Sequence, residues 1–277
     1  MSVNYKILIS DYDGTLARND RTVAKENVES IERYRAAGGI FTVCTGRMLA
    51  SILPIVRKIG LKGYVMAFQG AITADIETGE IVDEKPIPKE AALEVLTYLE
   101  GMNLHLHIYQ GNDLFVVERT EPVLWYEKAC SVTAKETHMP LSEFLRGKEG
   151  GVYKILVMDH PENIIKLRSV VKEHLGDRFN VVVSDPSLLE VNMPEATKGN
   201  ACASLLKKFG LKREDLIAIG DQENDISMIR LAGLGCAVGN AEPIVKEAAD
   251  FIAPTNEENA IAYLIDELCF KKEETQA

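Results

Sequence analysis

The chain has 277 residues, of which 46% are apolar and 26% charged, a composition typical of a globular protein with a sizeable core. At roughly 150 residues per domain, this length suggests two domains. The net charge of −11 argues against a nucleic-acid or anionic-membrane partner, because either would require a basic surface. Binding an anionic substrate would therefore require local positive charge, from a metal ion or from a few lysines.

The five cysteines are scattered and include no C-x-x-C pair, which argues against a disulfide framework or a zinc site. The first residues, "MSVNYK", lack the apolar segment of a signal peptide, and no apolar run approaches the ~20 residues of a membrane span. These features predict a cytoplasmic protein. The sequence carries no signal for the oligomeric state.

The first part of the chain alternates strands and helices. Apolar runs at residues 6–10, 40–46 and 64–70 predict buried strands, and apolar periodicity predicts helices at 23–37 and 49–58. Strands separated by helices predict right-handed crossovers and a parallel sheet. Two short extended runs, one on each side of "TG", then predict a hairpin.

After Pro88 the pattern changes. A helix is predicted at residues 89–99, followed by the antiparallel pair "LHLHIYQ" and "LFVVER" and a helix near 122–130. The strand "YKILVMD", a helix at 162–174 and the strands "FNVVVSD" and "LLEVNM" follow. Residues 87–186 therefore predict an inserted α+β domain with its own antiparallel sheet.

From Thr197 the alternation of strands and helices resumes. Helices are predicted at residues 198–209, 223–231, 243–249 and 257–268, with short strands between them. The terminal "KKEETQA" is predicted to be disordered.

The predicted architecture is α/β, with a Rossmann-like parallel-sheet core domain formed by residues 1–86 and 187–277. The inserted α+β domain, residues 87–186, interrupts this core after the third strand. Hinge motion between the two domains is expected at two connectors, near residues 86–88 and 185–186.

Polar residues suited to chemistry follow four of the predicted strands, and the carboxyl edge of a parallel sheet would bring them together. They are Asp11 and Asp13, Thr45 to Arg47, Gln69 and Gly70, and Gly220 and Asp221 with Asn224 and Asp225, with Lys198 at the start of a helix between them.

Clustered carboxylates at such an edge indicate a hard divalent cation, and Mg²⁺ suits so sparse a set. A phosphate favours a lysine, a small hydroxyl and free backbone amides, and all three are present. With both bound, one carboxylate could attack phosphorus, and a second carboxylate two residues on could act as general acid and base.

Four segments resemble motifs of the haloacid dehalogenase (HAD) superfamily. "DYDGTLARND" resembles the D-x-D-G-T-L signature, "CTGR" the second motif, "MPEATKGNA" the region of the lysine motif and "GDQENDISM" the G-D-x-x-N-D motif. Their order and spacing resemble the Cof-type branch, in which a large α+β cap is inserted between the second and third motifs. The motifs span residues 11 to 225, and the pattern accounts for nearly the whole chain.

The resemblance implies a role for each carboxylate. Asp11 would be the nucleophile that becomes aspartyl-phosphate and would also hold Mg²⁺. Asp13 would be the general acid and base and would lend its backbone carbonyl to the metal. Asp221 would be the remaining protein ligand of the metal, and Asp225 would support the metal site.

The resemblance also implies a phosphate site formed by Thr45, the Gly46 amide, Lys198 and Asn224, helped by the Tyr12 backbone amide. Substrate contacts are predicted for three further residues, Arg47, Gln69 and Gly70. For Arg47 a contact with the cap or a structural ion pair is the alternative. Relatives usually carry Asn-Gly-Ala where this chain has "QGA". A contact made by the shorter asparagine side chain of those relatives therefore does not carry over directly to Gln69.

The predicted function is a Mg²⁺-dependent phosphatase of small phosphorylated metabolites, sugar phosphates first among them, acting through aspartyl-phosphate. A phosphotransferase or phosphomutase with the same intermediate is one alternative, and a non-catalytic sensor of a phosphorylated ligand is another. A response-regulator receiver is excluded by the inserted domain. In the cap, Trp125 and Tyr126 are predicted to pack the interior, and the pair His105 and His107 is not expected to bind metal.

Overall fold

The computed structural model describes residues 3–270, so the terminal segment predicted to be disordered lies outside the described residues. The strands of this part of the chain, in order, are β1 (Ile7–Ser10), β2 (Ile40–Val43), β3 (Tyr64–Ala67), β4 (Ile72–Asp75), β5 (Ile81–Glu84), β6 (His105–Gln110), β7 (Asp113–Val116), β8 (Ala134–Glu136), β9 (Lys154–Met158), β10 (Asn180–Asp185), β11 (Leu188–Asn192), β12 (Leu216–Gly220), β13 (Leu234–Ala237) and β14 (Phe251–Ile252).

The α-helices of the same residues are α1 (Lys25–Ala36), α2 (Leu49–Lys58), α3 (Lys89–Glu100), α4 (Glu121–Cys130), α5 (Leu141–Arg146), α6 (Pro161–Leu175), α7 (Lys198–Phe209), α8 (Ile226–Leu231), α9 (Pro243–Ala248) and α10 (Ala260–Leu264). Within residues 3–270, none of the helices combines the length and the apolar character that crossing a bilayer would require.

The core is built on a parallel sheet with the strand order β14-β13-β12-β1-β2. A parallel bridge between Cys44 and Met66 links the end of β2 to β3, which pairs antiparallel with β4. β4 and β5 form the predicted hairpin. The α/β fold with a parallel-sheet core is therefore confirmed.

Both faces of this sheet are covered, which explains why its strands are apolar throughout rather than alternating. Leu8 belongs to a hydrophobic cluster that also contains residues of α1, α2 and α10. Ile7 and Ile9, on the opposite face of β1, pack with Cys202 and Met228 of α7 and α8. The carboxyl ends of β1 and β12 are thus held between two packed layers.

The inserted α+β unit contains a second sheet with the strand order β10-β11-β9-β6-β7-β8. One face of this sheet packs against α3, α5 and α6 through a hydrophobic cluster of its own. Strand β8 and helix α5 lie in a stretch whose residues show no clear apolar periodicity. We call this inserted unit the cap and the remainder of the described chain the core.

The second predicted connector, at residues 185–186, is wrong. Asp185 is paired with Leu188 in the antiparallel hairpin of β10 and β11, so the chain is still within the cap sheet at that point. It leaves this sheet only after Asn192. We propose that the cap spans residues 87–192, with its second connector between β11 and α7.

The close packing of the backbone at the first connector can be tested by mutation. Two backbone hydrogen bonds join Ile87 and Val152 there. A Cβ on Gly151 would lie 1.9 Å from the carbonyl oxygen of Ile87. Gly151→Ala should therefore lower the free energy of unfolding in urea by about 1–3 kcal/mol. Gly147→Ala is the matched control, since its Cβ would lie 3.5 Å from the nearest atom. Equal stability of the two variants would contradict the predicted clash.

Candidate active site

A buried lysine between two aspartates lies at the centre of the carboxyl edge of the core sheet. Lys198, the first residue of α7, is 1% exposed. Its Nζ donates hydrogen bonds to Asp11 Oδ1 at 2.6 Å and to Asp225 Oδ1 at 2.5 Å. Asp11 directly follows β1, and Asp225 lies in the turn between β12 and α8. The predicted nucleophile and the predicted phosphate-binding lysine are thus in direct contact.

Burial and charge act against each other in this cluster. Burial raises the pKa of Asp11 well above its ordinary value, although the charge of Lys198 opposes the shift. Burial alone would lower the pKa of Lys198, but the carboxylates of Asp11 and Asp225 outweigh it and raise that pKa. The ammonium group therefore stays charged and offsets part of the negative charge around it.

Asp221 completes the acidic cluster. Its Oδ1 accepts a hydrogen bond from Thr15 Oγ1 at 2.9 Å. Gly14, with φ of +70°, lets the loop after β1 approach closely, since a Cβ there would lie 2.4 Å from Asp221 Oδ2. Burial and then the charge of Asp225 raise the pKa of Asp221 to about 7.

Carboxylate oxygens of Asp11, Asp221 and Asp225 lie within 4.8 Å of one another. One lysine cannot neutralise three carboxylates, so the donor set fits a hard divalent cation such as Mg²⁺. Asp225 Oδ2 already accepts the backbone N–H groups of Asp221 and Gln222, and its Oδ1 accepts from Lys198. Asp11 and Asp221 are therefore better placed as direct ligands, with Asp225 supporting them.

Asp13 lies outside this cluster and is bound by Arg47. The guanidinium donates from Nε to Asp13 Oδ2 and from Nη2 to Oδ1, both at 2.7 Å. The side chain of Arg47 is buried over the ring of Tyr12, while that of Asp13 is 51% exposed. Arg47 also donates to the carbonyl of Ala129 in cap helix α4 at 3.4 Å. Both alternatives predicted for Arg47, an ion pair and a cap contact, are present together.

The loop after β2 carries the second motif. Thr45 is buried, and its Oγ1 accepts the backbone N–H of Arg47 at 3.1 Å. The carbonyl of Gly46 accepts a hydrogen bond from Lys154 of cap strand β9 at 2.9 Å. A Cβ on Gly46 would lie 2.6 Å from Gln69 Nε2, so an alanine at this position would displace the Gln69 amide.

The remaining predicted residues differ in their positions. Asn224 lines the cavity described below, and its Nδ2 donates to Gln69 Oε1 at 2.9 Å. Gly70 is not among the lining residues, because its backbone packs against the start of α7, where a Cβ would lie 2.8 Å from the carbonyl oxygen of Thr197. The Tyr12 side chain is buried, and its hydroxyl donates to the carbonyl of Arg21 at 3.2 Å.

A cavity of about 300 Å³ lies over the acidic cluster, between core and cap. Its core side includes Asp11, Asp13, Asp221 and Arg47. The cap contributes Trp125, Tyr126, Ala129, Cys130, Lys154, Ser184, Asp185, Leu188 and Glu190.

The prediction that Trp125 and Tyr126 pack the cap interior holds only in part. Tyr126 is buried and its hydroxyl accepts a hydrogen bond from Tyr109, but both residues line the cavity and Trp125 is 52% exposed. Lys154 and Glu190 were missed by the sequence reasoning. The available signal was a charged residue inside each of two apolar strands, β9 and β11.

The two histidines of β6 differ in their solvent exposure. His105 is exposed, whereas His107 is fully buried and packs edge-on against Tyr126 with ring centroids 5.1 Å apart. Burial lowers the pKa of His107 to about 3, so its imidazole is neutral.

Comparison with known proteins agrees with this geometry. The family model described as haloacid dehalogenase-like hydrolase matches residues 8–265. YxeH of Bacillus subtilis is 30% identical, with 97% of this chain and 100% of YxeH covered. The 5-amino-6-(5-phospho-D-ribitylamino)uracil phosphatase YwtE of the same organism is 27% identical, with 95% and 98% covered. The structure of a haloacid dehalogenase-like hydrolase from B. subtilis has a TM-score of 0.87 at 26% identity, covering 95% of this chain and 99% of that one.

A parallel sheet with a carboxylate cluster at its carboxyl edge and an inserted cap defines the class of protein. The chain belongs to the haloacid dehalogenase-like hydrolase family. The predicted resemblance to the HAD superfamily and the prediction of an enzyme, a HAD-type phosphatase, are confirmed. The individual residue roles stay predictions.

The raised pKa of Asp221 leads to a prediction for the metal-free protein. A carboxyl group whose pKa rises on folding stabilises the fold fully below its unfolded pKa, and this stabilisation is lost as pH rises through the folded pKa. The free energy of unfolding in EDTA should therefore fall as pH increases from about 4 through about 7. Asp221→Asn should reduce this fall, as measured by urea unfolding at several pH values. An identical pH dependence in both proteins would contradict the prediction.

Proposed function

We propose that this HAD-family phosphatase is Mg²⁺-dependent and hydrolyses small phosphorylated metabolites, sugar phosphates foremost, through an aspartyl-phosphate on Asp11. The observation that carries the proposal is the buried contact of Asp11 with Lys198, beside Asp221 and at the base of the cavity between core and cap. Asp13, two residues further along the chain, lines the same cavity.

In the proposed reaction an oxygen of Asp11 attacks phosphorus and the bond to the leaving alkoxide breaks, while Asp13 gives the alkoxide its proton. Asp13 then takes a proton from water, the water oxygen attacks phosphorus, and the bond to Asp11 breaks to release phosphate. Lys198 offsets charge on the transferring group throughout. We assign Thr45, the backbone amides of Tyr12 and Gly46, and Asn224 to the phosphoryl oxygens.

A bound Mg²⁺ would supply positive charge against the phosphoryl oxygens. Asp11 and Asp221, with the backbone carbonyl of Asp13, would hold the ion. Asp225 would keep Asp221 in place, because its carboxylate accepts a hydrogen bond from the backbone N–H of Asp221.

Arg47 has a proposed role in preparing Asp13. The bidentate ion pair holds the Asp13 carboxylate in one orientation while the substrate is absent. If Asp13 turns towards the leaving group, a substrate oxygen would take the place of one of its oxygens on the Arg47 guanidinium. Arg47 would thereby contact the substrate.

The cavity supports a small substrate. Its volume of about 300 Å³ is at the lower end of the range of small-molecule sites. The exposed side chain of Trp125 suits a sugar or aromatic ring. A ribitylaminouracil phosphate is the substrate named for YwtE, which supports a phosphorylated polyol. We propose no nucleic-acid or membrane partner, in view of the net charge of −11, and a cytoplasmic location, in view of the five unpaired cysteines.

The principal test is phosphate release from a panel of phosphorylated metabolites, with and without Mg²⁺, for the wild type and Asp11→Asn. Wild type should release phosphate only with the metal, and Asp11→Asn should lose at least about 10³-fold in rate because the nucleophile is gone. Equal release by both proteins would show that Asp11 is not the nucleophile. If neither protein hydrolysed any compound, but one of the compounds raised the melting temperature of the wild type, the result would favour a non-catalytic sensor over a phosphatase.

A second test separates the roles of the two aspartates. Asp13→Asn should still form aspartyl-phosphate from a substrate with a good leaving group, such as para-nitrophenyl phosphate. Hydrolysis of that intermediate should slow by about 10²–10⁴-fold, because no general base activates water. Rapid-quench detection of the phosphorylated protein measures both steps. Wild-type turnover by this variant would contradict the acid–base role.

A further inference from the structure

A continuous chain of hydrogen-bonded polar side chains, most of them buried, connects the cap to the predicted phosphate site. Lys154 of β9 donates to Glu190 Oε1 of β11 at 2.9 Å. Glu190 Oε2 accepts from Gln69 Nε2, also at 2.9 Å, and Gln69 Oε1 accepts from Asn224 Nδ2 at 2.9 Å. We call Lys154, Glu190, Gln69 and Asn224 the relay. Its first two members belong to the cap and its last two to the core.

The charged members of the relay are almost fully buried. The side chains of Lys154 and Glu190 are 1% and 3% exposed. Glu190 Oε1 also accepts from Ser184, so both carboxylate oxygens are bound by protein donors. Losing one donor would leave a buried charge partly unsatisfied, which makes the contact between Gln69 and Glu190 energetically important.

The backbone at Gln69 is held in an unfavourable conformation that makes this contact possible. Phe68 and Gln69 have φ values of +51° and +60°, a region that bulky residues rarely adopt. The Phe68 ring stacks on Tyr153 of the cap at 5.3 Å and meets the Tyr109 ring edge-on at 5.5 Å. The cap thus holds Phe68 and thereby directs the next side chain, Gln69, towards Glu190.

The relay touches the predicted phosphate site at two points. Asn224 is itself a member, and its Oδ1 is buried without a hydrogen-bond partner among the described residues. Gln69 is therefore the side chain that fixes the orientation of the Asn224 amide. The second point is Gly46, whose carbonyl accepts from Lys154 and where a Cβ would lie 2.6 Å from Gln69 Nε2.

The length of the side chain at position 69 matters for this arrangement. An asparagine would be shorter by one carbon–carbon bond, about 1.5 Å. From the same backbone, its amide would reach neither Glu190 nor Asn224 at hydrogen-bond distance, since both present bonds measure 2.9 Å.

We propose that Gln69 is a positioning residue that couples the cap to the phosphate site, by orienting Asn224 only while Glu190 holds the other end of its amide. The inference rests on the proposed function, because it takes Asn224 as a phosphate-binding residue. Glu190 then controls phosphate affinity from a distance. Separation of the cap from the core breaks the bond between Gln69 and Glu190 and frees Asn224 to reorient, so the site is complete only when the cap is closed.

The test is a double-mutant cycle in two backgrounds. Binding of inorganic phosphate is measured by calorimetry with saturating Mg²⁺ for Glu190→Gln, Asn224→Ala and the double variant. With Gln69 present, the combined effect on Kd should differ from the product of the single effects by at least about 3-fold. In the Gln69→Leu background the two effects should simply multiply. Equal coupling in both backgrounds, or none in either, would overturn the proposal.

A second measurement does not depend on phosphate binding. Hydrogen–deuterium exchange of peptides covering residues 45–47 and 223–225 should increase in Gln69→Leu and, by the length argument, in Gln69→Asn. The matched control is Gln110→Leu, which removes a glutamine that donates to the carbonyl of Glu149 in the cap, away from the cavity. This control should leave exchange in both peptides unchanged. Unchanged exchange in both Gln69 variants would also overturn the proposal.

The two measurements distinguish failure of the relay from failure of the proposed function. If the wild type bound no phosphate and hydrolysed no substrate, the proposed function would fail, and the exchange data alone would decide whether Gln69 positions Asn224. If the wild type bound phosphate but Gln69→Leu changed neither coupling nor exchange, the relay alone would fail.

Discussion

The placement of Lys198 between Asp11 and Asp225 is the contact on which the active site depends. Three carboxylates at the end of a packed sheet repel one another and lose hydration, and burial makes both effects stronger. The ammonium group, held by two bonds of 2.5 and 2.6 Å, keeps Asp11 in position and supplies charge that a phosphate would need. The remaining negative charge is what fits the cluster to a divalent cation. The same charge imbalance thus explains both why the cluster persists and what it can bind.

Cap and core meet through polar groups as well as through apolar packing, which bears on how the site works. Arg47 ties Asp13 to the cap helix α4, and Gln69 ties Asn224 to the cap strand β11. Each contact joins a residue with a proposed chemical role to a part of the chain that moves if the cap opens. Closure would therefore exclude water and also set the orientation of side chains at the reacting centre.

The sequence predicted best those elements whose signals are local. Helices α2 and α7 have the predicted bounds, because apolar periodicity begins and ends within each segment. The predicted helix at 257–268 is observed as the short helix α10, with a 3₁₀ turn before it and a π-helical turn after it. Apolar periodicity does not distinguish such turns from a continuous α-helix. Strand β8 was missed because three residues, paired with β7, give too short a pattern to recognise. The connector at 185–186 was misplaced because a hairpin turn and a linker have the same composition.

The sequence by itself determined the chemistry available at the carboxyl edge of the core sheet. Asp11, Asp13, Lys198, Asp221 and Asp225 lie in short motifs, and the rule that ligands bind beyond the ends of parallel strands brings the motifs together. The tertiary structure alone decided the partners of those side chains: Arg47 on Asp13, Gln69 on Asn224, and Lys154 with Glu190 against Gly46. These contacts join residues far apart in the chain across the interface between core and cap. No local pattern encodes them, because they depend on how two separately packed units are placed against each other.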